Sequence, residues 1–134
     1  MAAHTDRRYS FSEARSLVPT LRSLLLQLAI ERGRLDAAHG ALHAHLRGNG
    51  TPDHARETAI HERTVAGIRE GLNALVGQFE ELGVVLRHMD EGLCDIPGER
   101  DGERVWLCWR LSDPHLGWWH SRTEGFASRR PWDR

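Results

Sequence analysis

The sequence predicts an α+β fold: a long antiparallel helical hairpin followed by a small three- to four-stranded antiparallel sheet. Three observations predict it. Two apolar stripes at helical spacing run through residues 9–83, parted by Gly48-Asn49-Gly50. After Gly83 the pattern shortens and alternates, punctuated by Asp90-Glu91-Gly92 and Asp101-Gly102. The segment from Gly92 to Trp132 then holds both cysteines, all five tryptophans and two histidines, a density that marks a core, a site, or both.

The chain of 134 residues is read as one domain, 1–134, long enough for a single core. Residues 1–8 are polar and aperiodic and are expected to be a disordered tail. Ser10-Phe11-Ser12-Glu13 then fits a capping box, with Ser10 capping and Glu13 reaching back to its amide; Tyr9 precedes the cap. Leu17, Leu21, Leu24, Leu28, Leu35, Ala38 and Leu42 follow at threes, fours and sevens, one face of a helix. Pro19 lies inside this run, so the helix is expected to kink or restart there. Gly48-Asn49-Gly50 ends it. Thr51 caps a second helix with Pro52 at its first position, where the missing N–H costs nothing. Val65, Ile68, Leu72, Leu75, Phe79 and Leu82 form its stripe, and Gly83 stops it.

Residues 84–134 read as a β-meander. Val84-Val85-Leu86 and Leu93–Ile96 are short strands, with Pro97 stopping the second. Val105 to Leu111 alternates, with Val105, Leu107 and Trp109 on one face and Trp106, Cys108 and Arg110 on the other. Ser112-Asp113-Pro114-His115 is a turn that returns the chain through Leu116 to His120. The hairpin is expected to cover one face of this sheet.

Charge and composition exclude several functions. Eighteen basic residues meet 19 acidic ones for a net charge of -1, so no global field draws nucleic acid or anionic membrane. Every basic residue is Arg, which removes Schiff-base and lysine-nucleophile chemistry. The two cysteines, with no apolar leader and no long apolar run, point to a reducing, cytoplasmic setting. In that setting a Cys94–Cys108 disulfide is the lesser reading. No glycine-rich phosphate loop is present, so no nucleotide cofactor is expected.

The histidines sort into two groups. His39 and His43 share a helix face near His45, but lack the intervening Glu of a metalloprotease motif. They, His54, His61 and His88 read as ordinary surface residues. His120 differs, because Asp95, Cys108, Asp113 and Glu124 come from neighbouring strands and turns. Carboxylate, imidazole and thiolate together are zinc, iron or manganese donors, although the spacing matches no closed zinc motif. The competing account makes Asp95 and His120 structural hydrogen-bonders and Cys108 a small buried hydrophobe. A cysteine nucleophile is disfavoured in a strand among bulky neighbours. A stacking platform built of the tryptophans with Arg110, Arg122, Arg129 and Arg130 is set against the neutral net charge.

These residues carry a resemblance. Glu13-Ala14 with Pro19, Gly92-Leu93-x-Asp95-x-Pro97, Leu107-Cys108-Trp109, Trp119-His120 and Gly125-Phe126-x-x-Arg129 resemble the family called domain of unknown function 2203. Where that family usually has Trp-x-x-Gly-Glu, this chain has Trp109-Arg110-Leu111-Ser112-Asp113, which keeps a carboxylate but shortens its reach. The usual Phe after Asp95 is Ile96. The resemblance implies a bacterial cytoplasmic protein, supplies no activity, and points to Asp95, Cys108, Asp113 and His120 as the family's polar positions.

Two functions follow from the sequence. The first is a metal-binding domain with Asp95, Asp113 and His120 as leading ligands and Glu124 or Cys108 as a fourth. The alternative is a non-enzymatic dimeric interaction module whose Trp-rich sheet is structural. Leu17, Leu25, Leu46, Ile60 and Val76 widen the apolar surface beyond what two helices cover for each other. Left wet, at about 25 cal/mol per Å², such side chains would consume much of a small domain's stability. A homodimer through the helices is therefore expected, with the sheet outward.

Overall fold

The computed structural model describes residues 7–48, 50 and 52–133. Its elements are α1 (Phe11–Arg47), α2 (His54–Leu82), β1 (Val85–His88), β2 (Leu93–Arg100), β3 (Glu103–Trp109), β4 (Trp118–Ser121) and β5 (Arg130–Pro131). The expected α+β order of helical hairpin and antiparallel sheet is present, with five strands rather than three or four. Most of the expected tail lies outside the described residues, as do Asn49 and the expected cap Thr51.

Both ends of the hairpin follow from local chemistry. The Ser10 amide donates to Glu13 Oε1 at 2.8 Å while the Glu13 amide donates to Ser10 Oγ at 3.0 Å, a closed capping box. Tyr9, just before it, donates its hydroxyl to the Leu82 carbonyl. At the far end Gly83 has φ +75, with bonds from Gly83 N to Glu80 O and from Val84 N to Phe79 O. That pair is the Schellman stop that glycine permits. The second helix begins later than expected: Pro52 and Asp53 form a turn, and the Asp53 carbonyl accepts from Glu57 N at 2.9 Å.

Pro19 does not break α1, which is one continuous helix across it. Proline removes one bond to the carbonyl four residues back, that of Arg15. Pro19 and Arg15 are both exposed, so water can satisfy the released carbonyl.

The residues group into two compact units, Met1–Leu25 with Gly77–Arg134, and Leu26–Val76. In the second, Leu28, Val65, Ile68 and Leu75 are buried. Each such side chain contributes about 1.5–3 kcal/mol.

The first unit carries the sheet, an all-antiparallel meander in the order β1-β2-β3-β4-β5. Pro97 does not end β2. The strand continues to Arg100 because β1 flanks it only as far as Asp95. The Pro97 carbonyl points away from β3 to accept the Tyr9 amide at 2.8 Å. Its nitrogen shares that side, so no ladder bond is lost. β5, which pairs Trp118 with Pro131 and Trp119 with Arg130, has no counterpart in the sequence reading. Two residues are too short a run to show alternation.

The β2–β3 hairpin turns on Asp101 (φ 52) and Gly102 (φ 81), the two positive angles of a type I′ turn. It pairs Asp95 with Cys108 and Pro97 with Trp106, and β4 then sets His120 opposite Trp106. Alternation sorts the sheet into two faces. One holds Cys94, Ile96, Leu107, Trp109 and Trp119. Arg22 of α1 lies over the Trp109 ring at 5.2 Å, and Phe11 stacks on Trp132 at 5.0 Å. The other face holds Asp95, Trp106, Cys108, Trp118 and His120. Both faces of β3 are buried from Val105 to Trp109.

Gly92, at φ +62, joins β2 to this packing, since a Cβ there would lie 2.9 Å from Leu111 Cβ and 2.9 Å from Leu25 Cδ1. Gly102 has a similar φ but open space around it. Gly92→Ala is therefore expected to cost about 2–4 kcal/mol, combining strain with overpacking. Gly102→Ala should cost only about 1 kcal/mol, the strain alone. Urea denaturation of both variants checks the difference.

Candidate metal centre

Three ionisable side chains meet on the sheet face turned away from Trp109. Asp95 comes from β2, Cys108 from the paired position on β3, and His120 from β4. All three are buried, and one potential ligand atom from each lies within 4.8 Å of the others. His120 Nε2 is 3.0 Å from Asp95 Oδ1. On its other side the His120 ring meets the Ser121 carbonyl, 2.8 Å from Nδ1. A carbonyl only accepts, so Nδ1 carries a proton and Nε2 is the nitrogen facing the cluster. A backbone carbonyl behind the ring in this way orients histidine ligands in metal sites.

Arginines complete the surroundings. Arg87, at the bulge of β1, donates from Nε to Asp95 Oδ2 at 2.9 Å, leaving Oδ1 for His120. Burial pushes the Cys108 thiol up to about 12, with the Asp95 carboxylate adding to the shift and Arg129 partly opposing it. Burial, then Asp95 and Cys108, likewise push the Cys94 thiol up to about 12. Cys94 faces the opposite side and donates Sγ–H to the Gly92 carbonyl. Both cysteines are free, so the lesser disulfide reading is not realised. Neither thiol is poised as a nucleophile, because the thiolate is scarce at neutral pH.

The structure brings Asp95, Cys108 and His120 together and engages the other two candidates elsewhere. Asp113 is gripped by Arg129, with Nη1–Oδ2 at 2.8 Å and Nη2–Oδ1 at 3.2 Å, and accepts the Arg110 amide at 3.1 Å. Its carbonyl accepts Trp109 Nε1–H at 3.2 Å. Burial would raise the Asp113 carboxyl, but the bonds and charge from Arg129 and Arg110 outweigh it and hold the group below its usual value. Glu124 accepts the Ser121 amide at 3.3 Å and pairs with Arg130 at 2.9 Å. It closes the turn after β4 rather than entering the cluster.

The remaining candidates settle readily. His39 and His43 are exposed, as expected. His45 instead stacks on His54 at 4.2 Å, lies 5.0 Å from His61, and has Nε2 2.8 Å from Thr58 Oγ1. The tryptophan rings are covered by the chain's own guanidiniums: Arg122 over Trp106, Arg129 over Trp118 and Arg130 over Trp119. Arg87 and Arg129 were not legible as site neighbours. A bulge re-aims the first, and a distant 3-10 turn at Phe126–Ser128 delivers the second, whose Gly125-Phe126-x-x-Arg129 spacing does not say what the arginine meets.

Two outcomes are expected. An aromatic disulfide reagent at pH 8 should leave both thiols of the native protein unmodified and titrate two after unfolding. The lowered Asp113 carboxyl stabilises the fold above its unfolded value near 3.9, and that stability is lost as pH falls through the lower folded value. Asp113→Asn leaves Arg129 buried without its carboxylate and should cost about 3 kcal/mol at pH 7. The gap to wild type should close below about pH 4, read from urea midpoints across pH.

No curated protein and no solved structure matches the chain. A family model described as "Uncharacterized conserved protein (DUF2203)" matches residues 7–132, nearly the whole sequence. The residues that resembled that family lie in α1 and in the strands and turns around Asp95, Cys108, Asp113 and His120, and the chain belongs to it.

Proposed function

We propose that this protein binds one divalent metal ion through Asp95, Cys108 and His120. The observation that carries the reading is the gathering of oxygen, sulfur and nitrogen donors within 4.8 Å at a buried place. Bonds of about 2.0–2.3 Å around a tetrahedral ion set donors roughly 3.3–3.8 Å apart, so the widest separation shrinks by about 1 Å while His120 Nε2 and Asp95 Oδ1, now at 3.0 Å, part slightly. An S, N and O set suits zinc best, with iron or manganese served less well by the thiolate. Asp113 and Glu124 are held by Arg129 and Arg130, so three protein ligands leave one position for water, the arrangement hydrolytic sites use. A reducing, cytoplasmic setting is consistent with two buried free thiols.

Metal binding at these residues has a distinctive consequence. The Cys108 thiol is protonated at neutral pH, and a coordinating thiol must lose that proton. Zinc binding through all three side chains is therefore expected to release about two protons, that of Cys108 and the one held between His120 Nε2 and Asp95 Oδ1, read by calorimetry in buffers of different ionisation enthalpy. Tag-free protein should carry close to one equivalent of metal by elemental analysis, and chelation should lower its melting temperature. Cys108→Ser and His120→Gln should lose the metal. Metal-free purified protein that shows no heat and no change in melting on adding zinc sinks the reading. Asp95 and His120 would then be a structural pair, whose disruption by His120→Ala costs about 3–5 kcal/mol through the stranded carboxylate.

A second reading concerns the Leu26–Val76 unit, where Leu26, Ile30, Leu46 and Ile60 are 53%, 63%, 53% and 48% exposed. Ile30 borders a shallow groove beside Gly67 and Gly71, where a Cβ would meet nothing within 4 Å. Small residues beside exposed aliphatic ones let another helix approach closely, and a two-fold copy of this hairpin would cover them. We propose a homodimer through this surface. Light scattering at micromolar concentration should give twice the 15.2 kDa chain mass, and Ile30→Asp should return the monomer mass. A monomer mass for the wild type would end this reading.

A further inference from the structure

The roof over the metal-centre face is made of arginines rather than a helix. Arg104 and Arg122 project on the same side of the sheet as Trp106, two residues before it and two beyond its β4 partner His120. The Arg122 guanidinium lies 3.9 Å from the Trp106 ring centroid and that of Arg87 lies 5.1 Å from it. Arg8 stands beside them, paired with Glu99. Asp95 engages only Nε of Arg87. Among the described residues, no carboxylate lies within ion-pair distance of Arg122.

We propose that Arg122, Arg87 and Arg104 form, above Trp106, a binding site for a phosphate group, carried by free phosphate or by a small phosphorylated molecule. Asp95 engages Arg87 and Glu99 engages Arg8, and neither carboxylate is within ion-pair distance of Arg122. A bound dianion screens the like charges of these neighbouring guanidiniums from one another. Guanidinium forks match the paired oxygens of phosphate, and the indole beneath holds Arg122 flat, so little side-chain freedom is lost on binding. A single carboxylate offers less charge and fewer acceptor oxygens to three forks. Asp95 links the two places, since Oδ2 meets Arg87 and Oδ1 meets His120. The phosphate site itself needs no metal.

The test is therefore run with chelator present, which keeps its outcome separate from that of the metal reading. Inorganic phosphate and adenosine monophosphate are titrated into the full chain by calorimetry, with sodium chloride holding ionic strength constant. One saturable site is expected. Arg122→Leu and Arg122→Lys should each weaken it at least about tenfold, the lysine because it keeps the charge and loses the fork. Tighter binding of the nucleotide assigns the site to phosphorylated molecules, and equal or weaker binding assigns it to the free ion. No saturable heat up to about 10 mM, or unchanged affinity in Arg122→Lys, overturns the proposal. Because the lysine variant preserves charge over Trp106, it decides the matter even if the leucine variant fails to fold.

Discussion

The register of β2 on β3 is the constraint on which the rest of the first unit depends. Side chains alternate with a period of two, so a slip of one residue would move a strand's whole set to the other face. Asp101 and Gly102 prevent that slip by closing a two-residue turn with both φ positive. The observed register places Asp95 opposite Cys108 and Ile96 opposite Leu107. Through β3 it also places His120 beside Trp106. The same pairing thus puts Ile96 and Leu107 into the core and the three donor side chains on the far face.

Those two faces are covered by different means. Beneath one, α1 brings Phe11 against Trp132 and Arg22 over Trp109, with Leu25 against Gly92. Over the other, Arg87 and Arg122 lie on Trp106, while Arg129 lies on Trp118 and Phe126. A flat, delocalised cation can rest on an aromatic face and still hold carboxylates by its edge, as Arg129 does with Asp113. Lysine has no such edge. A chain whose cations are all arginine can roof a buried polar cluster in this way, and the roof carries the charge from which the phosphate site follows.

The proposed metal centre and the proposed phosphate site are built on the same scaffold and meet at one residue. Asp95 is their single shared group, its two oxygens divided between Arg87 and His120. A carboxylate so divided has its orientation fixed from both sides, which is what a ligand needs before an ion arrives. The Ser121 carbonyl does the same for the imidazole.

The sequence by itself determined the elements whose signals are local. The capping box at Ser10 and Glu13, the stop at Gly83, the turn at Asp101-Gly102 and the two helical stripes are all short-range chemistry, legible one residue after another. Asp95, Cys108 and His120 were also legible as candidates, because buried polar types stood out in an apolar, Trp-rich segment. Tertiary structure alone decided which candidates meet. Asp113 looked equivalent to Asp95 on paper and Glu124 was a candidate fourth ligand, but Arg129 and Arg130, brought back by the 3-10 turn and β5, claim them first. It also decided that Pro97 continues β2, since β1 has ended beside it and the Tyr9 amide there needs only an acceptor. In each case the deciding partner lies far along the chain, where neither periodicity nor spacing leaves a mark.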